Sequence, residues 1–265
     1  MTDRALGRLE VILLGCAPAA VAVSGGVDSM TLAALAGRRL GSRVAVIHAV
    51  SPAVPPSATR RVRRHAEAEG WDLRLVDAGE FQDETYLANP ADRCFFCKHN
   101  LYRTLSKLGP ATLLSGTNTD DLGDWRPGLA AAAEHGVRHP YVEAGIDKAG
   151  VRRIARTLGL DALAELPAAP CLSSRVETGL RIRPDVLQRI DRAERLLRAT
   201  LAASTVRCRV RREGVVLEVE AAALRAVGPA ERDRLGDRIA RIFDVTAVRF
   251  EPYRRGSAFL RPADG

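Results

Sequence analysis

No apolar run in the 265-residue chain approaches the roughly 18 residues that a membrane-spanning helix needs. Leu13-Leu14-Gly15-Cys16, after Arg4 and Arg8, superficially matches a lipoprotein signal. Glu10 interrupts it, however, and Leu6, Leu9, Ile12 and Leu13 fit one face of an amphipathic helix. A cytoplasmic protein with no membrane partner is the expectation. Five cysteines are too few for a disulfide scaffold in a chain of this size. There is no internal repeat and no low-complexity segment. Two familiar nucleotide signatures are also missing: no Gly-Lys-Ser/Thr of a Walker loop, and no G-x-G-x-x-G of a dinucleotide fold. Lysine is scarce too, with only Lys98, Lys107 and Lys148 among 40 cationic residues.

What is present is an ordinary globular composition, 46% hydrophobic and 27% charged. The length suggests one domain of usual size plus a smaller one. The formal charge of +8 is uneven: from Arg175 onward, 20 Lys and Arg stand against 13 Asp and Glu. Such asymmetry fits a phosphate or nucleic-acid partner. It fits equally an arginine-rich composition with its charges on solvated helix faces.

Through the first two-thirds, strand-like runs alternate with helical patterns. Strands are expected at 19–23, 43–50, 73–78 and 111–115, and helices at 28–39, 59–69, 97–108 and 148–158. This alternation predicts an α/β class with a parallel sheet. Around Leu166 to Ser174 regularity fails in a loop with two prolines. Beyond it, helices at 184–202 and 229–243, a hairpin of 205–210 and 215–219 turning at Arg211 to Gly214, and a strand at 246–250 predict a small α+β unit. The expected domains are therefore 1–174 and 175–265.

Val21 to Ser29 read V-A-V-S-G-G-V-D-S, a strand passing through a glycine turn into a helix. Such a turn is a ready anion site, because glycines let backbone approach phosphate and unpaired helix N–H groups point at it. Ser24 and Ser29 add hydroxyl donors. Asp28 cannot favour a bare phosphate, which suggests a Mg²⁺ ion bridging the two. The stretch resembles the pyrophosphate-binding loop of N-type ATP pyrophosphatases, which cleave ATP to AMP and pyrophosphate while adenylating a substrate.

Cys94-Phe95-Phe96-Cys97 is a C-x-x-C, and Cys171 lies in the proline loop. The pair alone is compatible with a redox couple, a zinc site or an iron–sulfur site. The thioredoxin-like context for the first is missing. Zinc would draw a fourth ligand such as His99, and three thiolates suit a [4Fe–4S] cluster with one open iron. Cys16 and Cys208 read as small buried hydrophobes.

Taken in order, S-G-G-V-D-S, N-P-A-D-R-C-F-F-C-K (from Asn89), S-G-T-N-T-D-D (from Ser115), D-W-R-P-G-L (from Asp124) and P-C-L-S-S-R (from Pro170) resemble the LarE family over nearly the whole chain. The family is one of ATP-dependent sulfur transferases that mature the nickel-pincer cofactor. The resemblance implies a PP-loop domain of the adenine nucleotide alpha hydrolase-like fold, followed by the basic α+β unit. It implies that a carboxylate of a pyridinium-3,5-biscarboxylic acid mononucleotide is adenylated and then receives sulfur. Val23, Ser24, Gly25, Gly26, Asp28, Ser29, Gly116, Thr117 and Asn118 would bind ATP with Mg²⁺. Asp121, Asp124 and Arg126 would line the substrate mouth. Arg175, Arg207, Arg209, Glu194 and Glu218 would surround the substrate, Arg207 and Arg209 taking its phosphate and Arg175, just after the cysteine loop, able to hold phosphate bidentately. Cys94, Cys97 and Cys171 match the subclass that holds a [4Fe–4S] cluster supplied by a sulfide or persulfide donor. Members with only the late cysteine sacrifice its sulfur in one turnover. A homo-oligomer is also implied. The rival readings are a tRNA-thiolating enzyme of the same superfamily, an amide-forming synthetase, and a non-catalytic nucleotide or iron–sulfur sensor. The absence of further C-x-x-C pairs weighs against the first, and the small-molecule substrate makes a nucleic-acid partner unexpected.

Overall fold

Ala19–Ala22 (β1) is short and apolar, and the chain leaves it through glycine directly into Val27–Leu40 (α2). That succession repeats with Val44–Ala49 (β2), Pro56–Glu69 (α3) and Asp72–Val76 (β3), preceded by the helix Asp3–Leu14 (α1). The structure is a computed structural model that describes residues 3–109, 111–123, 125–168, 170–203 and 205–254. The chain divides into two compact units, Met1–Asp83 with Asp92–Ala169, and Glu84–Ala91 with Pro170–Gly265.

In the first unit, Thr112–Leu114 (β4) completes a parallel sheet of order β3-β2-β1-β4. The α/β expectation holds. Val21 lies in register with Val46 on one side and Leu114 on the other, and all three are fully buried. Strand order reverses at β1, since β2 and β3 lie to one side and β4 to the other. The crevice beyond the C-terminal ends of β1 and β4 is therefore a topological switch point, where such sheets hold ligands. Arg93–Ser106 (α4) and Pro127–Glu134 (α5) pack on each other. Helix α2 is buried along most of its length and packs against α1 and Lys148–Thr157 (α6). Leu9 and Leu13 of α1 are fully buried with Leu6 and Ile12 against them, so the amphipathic face is real.

The second unit is built on Pro184–Thr200 (α7), whose Leu187, Ile190, Ala193 and Leu197 are fully buried along one stripe. Val206–Arg211 (β5) and Gly214–Val219 (β6) form the hairpin, and Arg249–Pro252 (β7) pairs parallel to β6 after Pro229–Phe243 (α8). The hairpin loop is tighter than expected, just Arg212-Glu213, because Gly214 takes φ +123° and still pairs with Arg211. The last strand begins three residues late, since Asp244 ends α8 in a left-handed conformation and the chain must first return to the sheet. Helix α4 begins four residues early, at Arg93, so both cysteines of the C-x-x-C lie within it. Among the described residues, no helix is long and apolar enough to cross a membrane.

Candidate active site

Val23 is anchored on both sides of the turn. Its N–H donates to the Ile47 carbonyl (2.8 Å), and its own carbonyl lies 2.8 Å from His48 Nδ1. A carbonyl only accepts, so Nδ1 carries the proton and Nε2 accepts from Thr59 Oγ1 at 3.0 Å. Burial pushes the His48 pKa down and keeps this ring neutral. Beyond Val23 the Ser24 N–H donates to Ser29 Oγ (3.0 Å), and Ser29 Oγ donates to the Gly26 carbonyl (3.3 Å). The Ser24 hydroxyl, 3.2 Å from Ser29 Oγ, is then the donor of that pair. The turn is thus tied to the first turn of α2 before any ligand arrives.

Two glycines make the close approaches. Gly25 takes φ +80°, and a Cβ there would meet Ala58 at 3.1 Å. A Cβ on Gly116, after β4, would stand 2.6 Å from the backbone nitrogen of Ser29. The two loops flanking the switch point therefore touch backbone to backbone at the N-terminus of a 14-residue helix. Next to Gly116, Ser115 Oγ lies 2.7 Å from His139 Nδ1 and 3.0 Å from Thr117 Oγ1. Burial lowers the His139 pKa as well. Asn118, almost wholly buried, donates to Asp28 Oδ1 (3.3 Å), and its N–H donates to Asp121 Oδ2 (3.1 Å). Asp121 also pairs with Arg126 at 2.8 Å. Asp124 lies outside the described residues.

Two cations at this mouth carry no signal in a local motif. Lys148, the first residue of α6, places Nζ 2.5 Å from Asp28 Oδ2. Arg61 of α3 donates from Nη1 to the Gly25 carbonyl (2.7 Å), and burial with neighbouring Arg64 depresses its pKa. The one hint in the sequence is the rarity of lysine: Lys148 is one of three, and it opens a helix.

Cys94 and Cys97 are half-buried and three residues apart on α4, the spacing that puts two side chains on one helix face. His99, the candidate fourth ligand for zinc, has Nδ1 3.3 Å from Glu134 Oε2. Cys171 belongs to the second unit, where its side chain is exposed. Its carbonyl accepts from Ser174 N–H (3.1 Å), Ser174 Oγ (2.8 Å) and Arg175 Nη1 (3.1 Å). Arg175 also reaches the Pro170 carbonyl at 2.7 Å and grips Glu194 through Nε and Nη2 at 2.8 and 3.2 Å. Both side chains are 2% exposed.

Around this pair lies a second buried cluster. Glu194 also accepts from the Cys208 N–H (3.1 Å) and pairs with Arg198 (2.6 Å). Burial alone would raise its pKa, but Arg175 and Arg198 outweigh that and hold the carboxyl below the usual range. Glu218 accepts from Arg209 (3.0 Å) and Arg211 (2.8 Å), and Arg209 donates to the Ser174 carbonyl (2.8 Å). Arg207, two residues along β5 and on the same strand face as Arg209, stacks its guanidinium 5.7 Å from the Tyr253 ring centre. Burial depresses the pKa of both arginines. Cys208 is fully buried and its pKa is pushed well up by burial, so it is an inert thiol. A cavity of about 610 Å³ opens beside Arg175, Arg209, Arg211, Arg254, Glu218 and Glu251.

No family model matches the chain. Among curated proteins, an uncharacterized protein of Synechocystis is 43% identical over 184 residues, 68% of each chain. An uncharacterized protein of Methanocaldococcus jannaschii is 26% identical over 204 residues, 76% of this chain and 77% of that one. The pyridinium-3,5-bisthiocarboxylic acid mononucleotide synthase of Lactiplantibacillus plantarum is 31% identical over 194 residues, 71% of this chain and 70% of its own. The chain belongs to that synthase family.

Membership of the LarE family accounts for the order of the motifs along both units. The geometry adds to it Lys148, Arg61 and the clamp on the Cys171 loop. The contacts of Arg61 and Lys148 join residues 36 and 120 positions apart, beyond the reach of any local pattern.

Proposed function

We propose that this protein is an ATP-dependent sulfur transferase of a PP-loop fold, acting on a pyridinium mononucleotide in the formation of a nickel-pincer cofactor. The observation that carries the proposal is the contact of Gly116 with the α2 N-terminus, where a Cβ would stand 2.6 Å from Ser29 N. Two glycine loops closed on one helix end, with Ser24, Ser29 and Thr117 hydroxyls nearby, suit a pyrophosphate rather than a single anion. The donor set fits ATP. It fits Mg²⁺, which the Asp28 carboxylate at the turn would hold and which would screen phosphate charge, with the Lys148 ammonium beside it as a further cation.

In this reading a substrate carboxylate oxygen attacks the α-phosphorus of ATP and pyrophosphate leaves. A sulfur nucleophile then attacks the acyl carbon, AMP departs, and the carboxylate becomes a thiocarboxylate. Lys148 and Arg61 stabilise charge on the phosphates. Arg175 positions Cys171 rather than holding phosphate, because its guanidinium is engaged by Glu194 and two loop carbonyls. Arg209, Arg211 and Glu218 line a cavity with both charge signs, which suits a ligand with a cationic ring and anionic groups. Cys94, Cys97 and Cys171 would hold a [4Fe–4S] cluster, a group that supplies a labile sulfide on its open iron. A second reading rests on the exposed side chain and clamped backbone of Cys171: its own sulfur is donated, its Cα proton is lost, and dehydroalanine remains.

The test is incubation with ATP, Mg²⁺ and pyridinium-3,5-biscarboxylic acid mononucleotide. AMP, pyrophosphate and thiocarboxylate are expected in equal amounts. ADP as the main product, or exchange of pyrophosphate into ATP that responds to bulk tRNA instead, overturns the proposal. Mass spectrometry of the protein separates the two sulfur sources, since only the sacrificial route removes one sulfur and two hydrogens at Cys171.

A further inference from the structure

Away from the glycine cradle, three metal-ligating side chains converge where α4 meets the end of α5. Glu134 Oε2 lies 3.3 Å from His99 Nδ1, and His135 Nε2 lies 3.4 Å from the same nitrogen. All three ligand atoms fall within 4.8 Å of one another. Gly128 at the start of α5 permits the approach of the two helices, since a Cβ there would sit 3.0 Å from Lys98 Cγ.

Hydrogen bonding does not satisfy this arrangement. Nδ1 of His99 carries one proton at most. If it does, that proton serves Glu134 or His135, and the other acceptor receives no proton from this nitrogen. If it does not, His135 Nε2–H donates to the lone pair and the Glu134 carboxylate faces that same lone pair. A cation among the three atoms uses all three lone pairs at once. Zinc binds imidazole nitrogen and carboxylate oxygen at about 2.0–2.2 Å, and neighbouring ligands of a tetrahedron on that radius stand roughly 3.3–3.6 Å apart. The two closest separations fit or nearly fit that edge. The stack of Phe95 on His99, with ring centres 5.9 Å apart, orients that ring.

We infer that His99, Glu134 and His135 form a binding site for a divalent transition cation of the zinc type, with a fourth position open to water. The two imidazoles are ligands of borderline softness, and their presence beside the hard carboxylate selects such ions over Mg²⁺ and Ca²⁺. The site lies wholly in the first unit and asks nothing of the cysteines. Its function is to clip α5 to α4, so the ion stabilises the folded state by mass action.

Cobalt(II) is the probe, titrated into the full-length protein. One equivalent is expected to give visible d–d bands without thiolate-to-cobalt charge transfer, and to raise Tm. Cys94→Ser/Cys97→Ser should keep those bands. His135→Ala and His99→Ala should each weaken cobalt and zinc affinity by at least roughly 100-fold, since even residues that merely support a ligand change affinity 10–100-fold. Glu134→Gln, an exposed substitution that keeps shape, guards against misfolding and should weaken binding likewise. Bands that survive all three variants, or that carry thiolate charge transfer and vanish only in the cysteine variant, overturn the site. Adenylation activity is not a readout, so failure here leaves the proposed reaction untouched.

Discussion

The cradle of the first unit and the arginine–glutamate cluster of the second solve the problem of handling charge in different ways. Around Ser24 to Ser29 the groups are backbone amides, hydroxyls and a partly exposed Asp28–Lys148 pair, with side chains 25% and 33% exposed. Around Glu194 and Glu218 the carboxylates are 2% exposed, and each is held by two arginines. A site made of backbone is rigid, adds little desolvation cost, and keeps its cations free to move to a ligand. A site made of buried ions cannot lose one member cheaply, because the partner is left charged in a low-dielectric interior. The first arrangement suits a substrate that comes and goes; the second suits fixing the Cys171 loop and the charged wall of the neighbouring cavity in place.

The largest effect should come from breaking the second arrangement. Glu194→Ala leaves Arg175 buried without its partner and is expected to destabilise the protein by about 3–5 kcal/mol in chemical denaturation. Asp28→Ala should instead leave stability nearly unchanged while lowering AMP formation at least about 100-fold, or roughly 2.7 kcal/mol in the barrier. Equal losses of stability in both variants would erase the distinction between the two regions. Gly116→Ala should cost about 1–3 kcal/mol of stability, since the added methyl meets backbone that cannot yield, and ATP binding should weaken with it.

Acid sharpens the contrast further. The folded pKa of Glu194 is depressed, so its contribution is complete above the unfolded value near 4.3 and is lost as pH falls toward the folded one. Over that range the wild type should lose up to about 1.4 kcal/mol more per pH unit than Glu194→Gln. The smallest effect belongs to Arg126→Ala. Its pair with Asp121 is half-exposed, and stability should change by under about 1 kcal/mol.

The cradle is legible in the order of the amino acids alone. The strand, the glycine turn and the helix beginning at Val27 all follow from residues within nine positions of one another. The alternation of strand-like and helical runs likewise announces a parallel sheet, and the i, i+2 spacing of Arg207 and Arg209 puts them on one face of β5. Other features are not legible. Glu84–Ala91 joins the second unit although Phe81 and Arg93 on either side of it lie in the first, and its Asn89 donates to the carbonyls of Glu177 and Leu180. The engagement of Arg175 with Glu194 is equally hidden, since the arginine alone reads as a phosphate ligand.

The sequence by itself determined the strands of the parallel sheet, most of the long helices, the glycine turn and the family, because each is written in local spacing and in the order of short motifs. Tertiary structure alone decided which charges meet: Lys148 on Asp28, Arg61 on the Gly25 carbonyl, Arg175 across to Glu194, and His99 with Glu134 and His135. The physical reason is that a charged side chain accepts any opposite partner at contact distance. Which partner it finds is set by how the sheet and helices pack, and their packing depends on apolar surfaces that carry no label for the charges they bring together.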